Sequence, residues 1–492
     1  MRPAFPFLLL LLCWAPVPVA SNRPQPLALL VLGATVLVVL TAWEYRRQLQ
    51  RAWARLEPAR VPCCLLAAYV LLVGLQALPL PLALVEWISP QRSVLHLDAA
   101  QGLDEVASTW LTLSVSPADT LAAAQRALVY LVVFACVIVL AHTRTAVRVL
   151  GGALVFSGCL QALLGVSLLA SGVELRLFDH VYRFADVQGS FANRNHLAAY
   201  LVMCLAVGIG LMLSRFEESD MPARPTWRAR LSAALQFLLG PGMLLRLLLV
   251  LMVVGLVLTR SRMGNASFFV ALLLVGLLAL WAWRRMAPVT LALIASLLLV
   301  DVVLIGHWIG LDRVVQRMEQ TALLKEDRRG EETFEERQIA STLGLQAVRD
   351  YPWVGAGAGS FEAVFPRYRA PGIQGLYQHA HNDYLEIASD TGVLGLVLLA
   401  GVVLTSAARA LRVLRAHGSR LARGVAFASL MSIVAMAVHV SVEFNLQIPA
   451  VALTFCAMLA LPWVADGLPS RRQLADAPRI EPKNGVSTND LS

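Results

Sequence analysis

The sequence predicts an all-α integral membrane protein with about 12 transmembrane helices and one large loop on the outer side. Three observations predict it. Hydrophobic residues make up 58% of the 492 and charged residues only 15%. The mean hydropathy of +0.66 is beyond what a soluble domain hides in one core. Apolar runs long enough to cross about 30 Å of hydrocarbon recur along the chain.

The first apolar run, residues 5–20, follows a single basic residue, Arg2, as a signal peptide would. Pro16 and Pro18 stand where small cleavage-site residues are expected, so a retained span is predicted instead. A second span at 26–43 leads into Arg46, Arg47, Arg51, Arg55 and Arg60, a basic loop that the positive-inside rule assigns to the cytoplasm. Further spans are predicted at 62–82, 120–141, 146–170, 194–214, 242–259, 265–283, 287–309, 382–404, 424–442 and 447–465. In that layout Arg144 and Arg148, then Arg224, Arg228 and Arg230, then Arg284 and Arg285, then Arg409, Arg412, Arg415, Arg420 and Arg423 share one side. The opposite loops are acidic, with Asp98, Asp104 and Glu105, or balanced. Both termini are therefore expected in the cytoplasm. The chain divides into helices 1–9 over residues 1–309, a periplasmic loop forming a partly helical lid over 310–381, helices 10–12 over 382–465, and a disordered cytoplasmic tail over 466–492.

Several function classes drop out. The net charge of +9 resides mostly in arginines between apolar runs, which belong to topology and not to a nucleic-acid groove. Cys13, Cys63, Cys64, Cys136, Cys159, Cys204 and Cys456 all lie in apolar runs, so neither a disulfide framework nor a zinc site is predicted. The acidic pairs Glu326-Asp327, Glu331-Glu332 and Glu335-Glu336 alternate with basic residues and read as a solvated helix face, so no metal site and no cofactor is expected.

Chemistry-bearing residues gather at span ends on the outer side. Asn193, Arg194, Asn195 and His196 open one span; capping would explain them, but a guanidinium at a helix N-terminus adds to a dipole that already favours an anion. Arg260, Ser261 and Arg262 lie between two spans on the side expected to be poor in basic residues, where snorkelling to headgroups competes with bidentate binding of a phosphate. His379, His381, Asn382, Asp383 and Tyr384 open another span, and Glu443 and Asn445 sit at a fourth end. If a helix begins near His381, its period aligns His381 with Ala388, Gly392 and Gly395, a small-residue face that admits a neighbouring helix and turns the imidazole inward. A neutral imidazole so placed suits a general base for a hydroxyl, with His379 in support.

His381-Asn382, nine further residues and then Gly392, followed by Gly395, resemble the signature of the bacterial O-antigen ligase and polymerase superfamily. The stretch from Asp350 through Pro352, Gly355, Gly357 and Gly359 to Phe361 is similar to that family's Pro-x-x-Gly-x-Gly-x-Gly-x-Phe segment. The likeness extends over roughly residues 185–460 and takes in Ser261-Arg262 and Asn193 to His196. It implies a GT-C type glycosyltransferase of the bacterial inner membrane, working on the periplasmic face. Such an enzyme moves a glycan from undecaprenyl diphosphate to an acceptor hydroxyl, with inversion and without a metal. By position His381 is similar to the family's essential histidine, and Arg194 and Arg262 to its diphosphate-contacting arginines, with Arg260 adjacent and in competition with Arg262. Asn193, Asn195, His196, His379, Asn382, Tyr384 and Glu443 fall in supporting places.

Two activities stay open within the class. A polymerase joins lipid-linked repeat units into O-antigen or exopolysaccharide, the reading slightly favoured by the wording of the two motifs; a ligase passes the finished glycan to lipid A core or a protein. A lipid-linked oligosaccharide flippase is the more distant alternative, expecting ionisable residues at the bilayer midplane, where Asp301 is the main example. A non-catalytic assembly subunit is also compatible with the sequence.

Overall fold

In hydrocarbon every backbone N–H and C=O must be satisfied within the protein, and a helix does this inside one segment. The computed structural model describes residues 3–104, 106–177, 180–182, 186–215, 242–283, 334–369, 377–416 and 418–469. Among these described residues nine helical segments are long and apolar enough to cross a membrane. They are α2 (Pro24–Tyr45), the run Leu49–Gln76 made of α3 (Leu49–Leu56) and α4 (Arg60–Gln76), α7 (Pro117–Leu140), α8 (Arg144–Ser171), α9 (Arg194–Arg215), α11 (Arg262–Trp283), α14 (Asp383–Ala416), α15 (Arg420–His439) and α16 (Pro449–Asp466). Two apolar helices are shorter, α1 (Ala4–Trp14) and α10 (Met243–Leu258).

Prolines account for two departures from the expected spans. The run at 5–20 is a helix of 11 residues, rising about 16 Å and so about half a hydrocarbon thickness. Beyond Pro16 and Pro18 the chain bends through Val19, Ala20 and Ser21, all with positive φ. Likewise the span expected at 62–82 stops at Gln76, because Pro79 and Pro81 form a short strand, β1 (Pro79–Pro81), paired antiparallel with β2 (Trp110–Thr112). Between them run α5 (Leu82–Ile88) and α6 (Pro90–Gly102). The span expected at 287–309, Arg224, Arg228, Arg230, Arg284, Arg285, Asp301, the acidic pairs from Glu326 to Glu332, and the tail beyond residue 469 lie outside the described residues.

The bundle is built around α9, 94% of whose apolar window is buried. It packs most closely on α15, where Gly210 faces Gly424; a Cβ on either would fall 2.2 Å from the other's carbonyl oxygen. Backbones approach this closely only where no side chain intervenes. One end of the bundle is basic: Arg55 donates to Val139 O at 2.9 Å, Arg144 to Ser419 Oγ at 2.8 Å, and Arg409 pairs with Asp466. The starts of α7, α9, α14 and α16 and the end of α15 lie at the other end.

That second end is locked by a broken helix and a glycine loop. In α14, Gly392 has φ +65 and ψ −174, which interrupts the ladder. The carbonyls of Ser389 and Asp390 freed by the break are taken by loop amides, Ala356 N at 2.8 Å and Gly357 N at 3.0 Å, while Val393 N and Leu394 N reach back to Pro352 O and Trp353 O. Gly355 has φ +74, and a Cβ there would lie 2.2 Å from the Asp390 carbonyl. Gln76, fully buried, bonds Asp390 O and Ala358 N, tying the end of α4 to both. Ahead of the loop, α12 (Phe334–Asp350) leads into Tyr351, whose hydroxyl burial pushes above the ordinary phenol range, so it stays neutral, and the loop ends in the one-turn helix α13 (Phe361–Val364).

Candidate active site

The site begins with one buried carboxylate that holds two cations. Asp186, 3% exposed, pairs with Arg194 and stands 3.4 Å from Arg260 Nη1. Three local features make this meeting possible. Arg194 opens α9, where Asn193 Oδ1 accepts from Asn195 N at 2.7 Å and fixes the entry turn. Arg260 has φ +54 in the tight turn between α10 and α11, and Ser261 caps α11 by accepting from Gly264 N at 3.1 Å. Gly264 then lies so near α9 that a Cβ would come 2.5 Å from Ala198 Cβ. Arg260 is thereby delivered beside Arg194. Arg262 is the first residue of α11 and is exposed.

The two histidines sit just ahead of α14. His381 has φ +50, a left-handed conformation that is costly for a residue with a Cβ. It therefore precedes the helix instead of opening it, and the expected face shared with Ala388, Gly392 and Gly395 does not exist; Gly392 is the kink and Gly395 packs against Thr391. What orients the imidazole is Glu443, whose Oε1 lies 3.0 Å from His381 Nδ1. The other oxygen of Glu443 accepts from Asn195 Nδ2, so the carboxylate spans from the histidine to the first turn of α9. His379 Nδ1 lies 2.8 Å from Glu386 Oε1, and Glu386 Oε2 accepts from Ala380 N at 2.9 Å.

Phe444 joins these groups. Its ring stacks on His379 at 4.1 Å between centroids and meets His381 edge-on at 4.9 Å and His196 edge-on at 4.7 Å. His196 is 3% exposed, and among the described residues its Nε2 has no hydrogen-bond partner. Asn382 and Tyr384 hold the start of α14 in place. Asn382 caps α14 by accepting from Tyr384 N at 3.0 Å and Leu385 N at 3.2 Å, and the Tyr384 hydroxyl donates to Ala437 O. Asp383 anchors the turn after α15 through Leu446 N at 2.8 Å, and Asn445 is fully buried in that turn.

With Nδ1–H donated to a carboxylate, an imidazole keeps its basic lone pair on Nε2, and the carboxylate stabilises the imidazolium that forms when a proton is taken. Fixed guanidiniums near a helix N-terminus stabilise developing negative charge on an oxygen of phosphate type.

Residues 247–400 match the family model described as O-Antigen ligase. That match bears out the resemblance to the O-antigen ligase and polymerase superfamily. The matched segment runs from within α10 through the Arg260 turn, the glycine loop and both histidines to just past the Gly392 kink. Arg194 and Glu443 lie outside it. No curated protein matches the chain.

Three residues of the constellation were not singled out from the sequence. Asp186 stands eight residues before Arg194 in an unpatterned loop, and nothing in its neighbourhood signals a shared counterion. Phe444 looks like any aromatic at a span end. Glu386 had a usable signal: a carboxylate in the first turn of a predicted span, one turn past a histidine pair, has no cheap place in hydrocarbon unless it is paired.

Proposed function

We propose that the chain is an integral membrane glycosyltransferase that moves a glycan from undecaprenyl diphosphate to an acceptor hydroxyl on the periplasmic face, with inversion at the anomeric carbon. The observation that carries this reading is the link from His381 through Glu443 to Asn195, which sets the imidazole beside the helix start whose Arg194 shares Asp186 with Arg260. Arg194 and Arg260 bind the diphosphate; Arg262, exposed at the next turn, steers it from outside.

In the reaction the acceptor oxygen attacks the anomeric carbon as the bond from that carbon to the phosphate oxygen breaks. The electron pair leaves with the diphosphate, whose new charge meets the two guanidiniums. The acceptor proton passes to Nε2 of His381, and Glu443 stabilises the imidazolium. One displacement inverts the centre. Positive charge fixed on arginines performs the role a cation would otherwise take, which makes a metal-independent mechanism sufficient.

A GT-C type layout of 12 spans adds to the nine long helices the apolar stretch at 287–309 and the two shorter apolar helices, each completed across the bilayer by its flanking turns. The basic end of the bundle is assigned to the cytoplasm of a bacterial inner membrane by the positive-inside rule, leaving the site at the periplasmic end and both termini cytoplasmic. Two products are compatible with this chemistry. The wording of the two motifs favours a polymerase of O-antigen or exopolysaccharide repeats, whereas the description of the matching family model favours ligation to lipid A core or a protein. Purified protein incubated with lipid-linked donor decides both points. Ladders of repeats mark a polymerase, a single added glycan marks a ligase, and donor consumption that persists in His381→Ala overturns the transferase reading in favour of transport.

A further inference from the structure

A cavity of about 500 Å³ lies next to the constellation just described, in the size range of small-molecule sites. Phe444, His379, Glu386, His196 and Asn193 line it, but His381 does not; His381 only abuts the lining ring of Phe444. Its charges run against an anion. Arg23 and Arg126 are outnumbered by Asp119, Glu362 and Glu386, so the carboxylates and guanidiniums of the lining sum to a net negative charge. A diphosphate gains more at Asp186, where two arginines meet one carboxylate. The cavity suits a neutral ligand with many hydroxyls, because carboxylates, guanidiniums and the amides of Asn193, Gln378 and Gln447 offer both acceptors and donors.

Two features show that the wall is built for hydrogen bonding. The His379 ring is held twice, by Glu386 at Nδ1 and by the face of Phe444, so its remaining nitrogen is fixed in direction. His196 lines the same wall, and among the described residues nothing bonds its buried Nε2, a polar group that is costly to leave unpaired.

We propose that this cavity is a saccharide subsite: it takes a neutral sugar residue of one of the two transfer substrates, with His379 and Asn193 as hydrogen-bond partners. The inference rests on the glycosyltransferase reading for its biological meaning, but the binding itself is tested separately. Full-length protein in lipid nanodiscs is titrated with maltotriose and chitobiose as neutral probes and with sodium pyrophosphate as the anionic one. His379→Phe preserves a ring to stack on Phe444 while removing both nitrogens, and Asn193→Ala removes the amide. Each raises the apparent Kd for the neutral sugars about tenfold and leaves that for pyrophosphate within about twofold; Arg260→Ala does the reverse. Equal thermal melts confirm that the variants are folded.

Absence of sugar binding to the wild type overturns the proposal, as does sugar affinity that neither variant changes. In a transfer assay the source of the sugar follows from which constant moves: a raised KM for acceptor marks the acceptor's sugar, and a raised KM for lipid-linked donor marks the donor's first sugar. Unchanged values of both KM overturn the subsite. Sugar binding that survives in a protein unable to transfer glycan defeats only the transferase reading.

Discussion

His379 and His381 lie two residues apart and each meets a glutamate through Nδ1, at 2.8 Å from Glu386 and 3.0 Å from Glu443. The pairs touch the same ring of Phe444, one stacked and one edge-on. Their wiring differs. Glu386 spends its second oxygen on the nearby Ala380 amide, so the His379 pair is closed within one short stretch, residues 379–386. Glu443 spends its second oxygen on Asn195, so the His381 pair reaches another helix, next to the arginines. His381 is also the one held at φ +50, and it is the more enclosed, with 8% of its side chain exposed against 26% for His379. Strain persists where surrounding contacts over-determine it, and such positions cluster at sites of chemistry. Under the proposed function this difference favours His381 for proton transfer and His379 for ligand contact.

The largest expected effect breaks this comparison if it fails. His381→Ala lowers kcat for glycan transfer by about 10²–10⁴-fold, the usual worth of a positioned general base. His379→Phe acts chiefly on a KM. Equal losses of kcat in the two variants, measured with lipid-linked donor, remove the distinction. Next in size is Glu443→Gln, which keeps a polar group against Asn195 but removes the charge that steadies the imidazolium. A hydrogen bond to a charged partner is worth about 1.5–3 kcal/mol, so kcat falls about 10- to 100-fold. The matching change Glu386→Gln leaves kcat above that of Glu443→Gln, and the reverse order places the base on the wrong pair.

Both pairs depend on the glycine loop, because it seats the kink in α14 that follows them. Gly355→Ala combines a φ of +74 with a Cβ 2.2 Å from the Asp390 carbonyl. Left-handed strain alone costs about 1–3 kcal/mol, and the overlap adds to it. The expected result is a lower melting temperature with transfer reduced in proportion to folded protein; an unaltered melt removes the loop from its supporting role.

How much of this was legible in the sequence follows from the range of each signal. Spans of uniform apolarity announced themselves, since crossing hydrocarbon constrains every residue of a segment. Helix ends did not. Proline placed the stops at residue 14 and at Gln76, against longer apolar runs. The motif glycines were visible as a pattern, but their reason was not: Gly392 breaks a helix, the amides of Ala356 and Gly357 take its freed carbonyls, and Gly355 lets the loop come close enough, a relation between segments some 35 residues apart. His381 was found by its motif and misplaced by its period, because the 3.6-residue rule holds only inside a helix and φ +50 stands outside one. Asp186, Glu386 and Phe444 act through partners distant in sequence or aligned by folding, which no local pattern records.

The smallest predicted effect concerns the arginines, where sequence left two candidates. Arg194 and Arg260 share Asp186, whereas Arg262 is exposed at the start of α11. Arg260 is itself 62% exposed, so solvent screens it and its contribution falls at the lower end of a charged hydrogen bond. Arg260→Ala therefore raises KM for lipid-linked donor about tenfold, and Arg262→Ala about twofold or less. Raising ionic strength narrows the gap, because the wild-type advantage is partly Coulombic. A larger loss for Arg262→Ala moves the diphosphate one residue into α11, away from Asp186, and detaches the Glu443 relay from the leaving group it is proposed to serve.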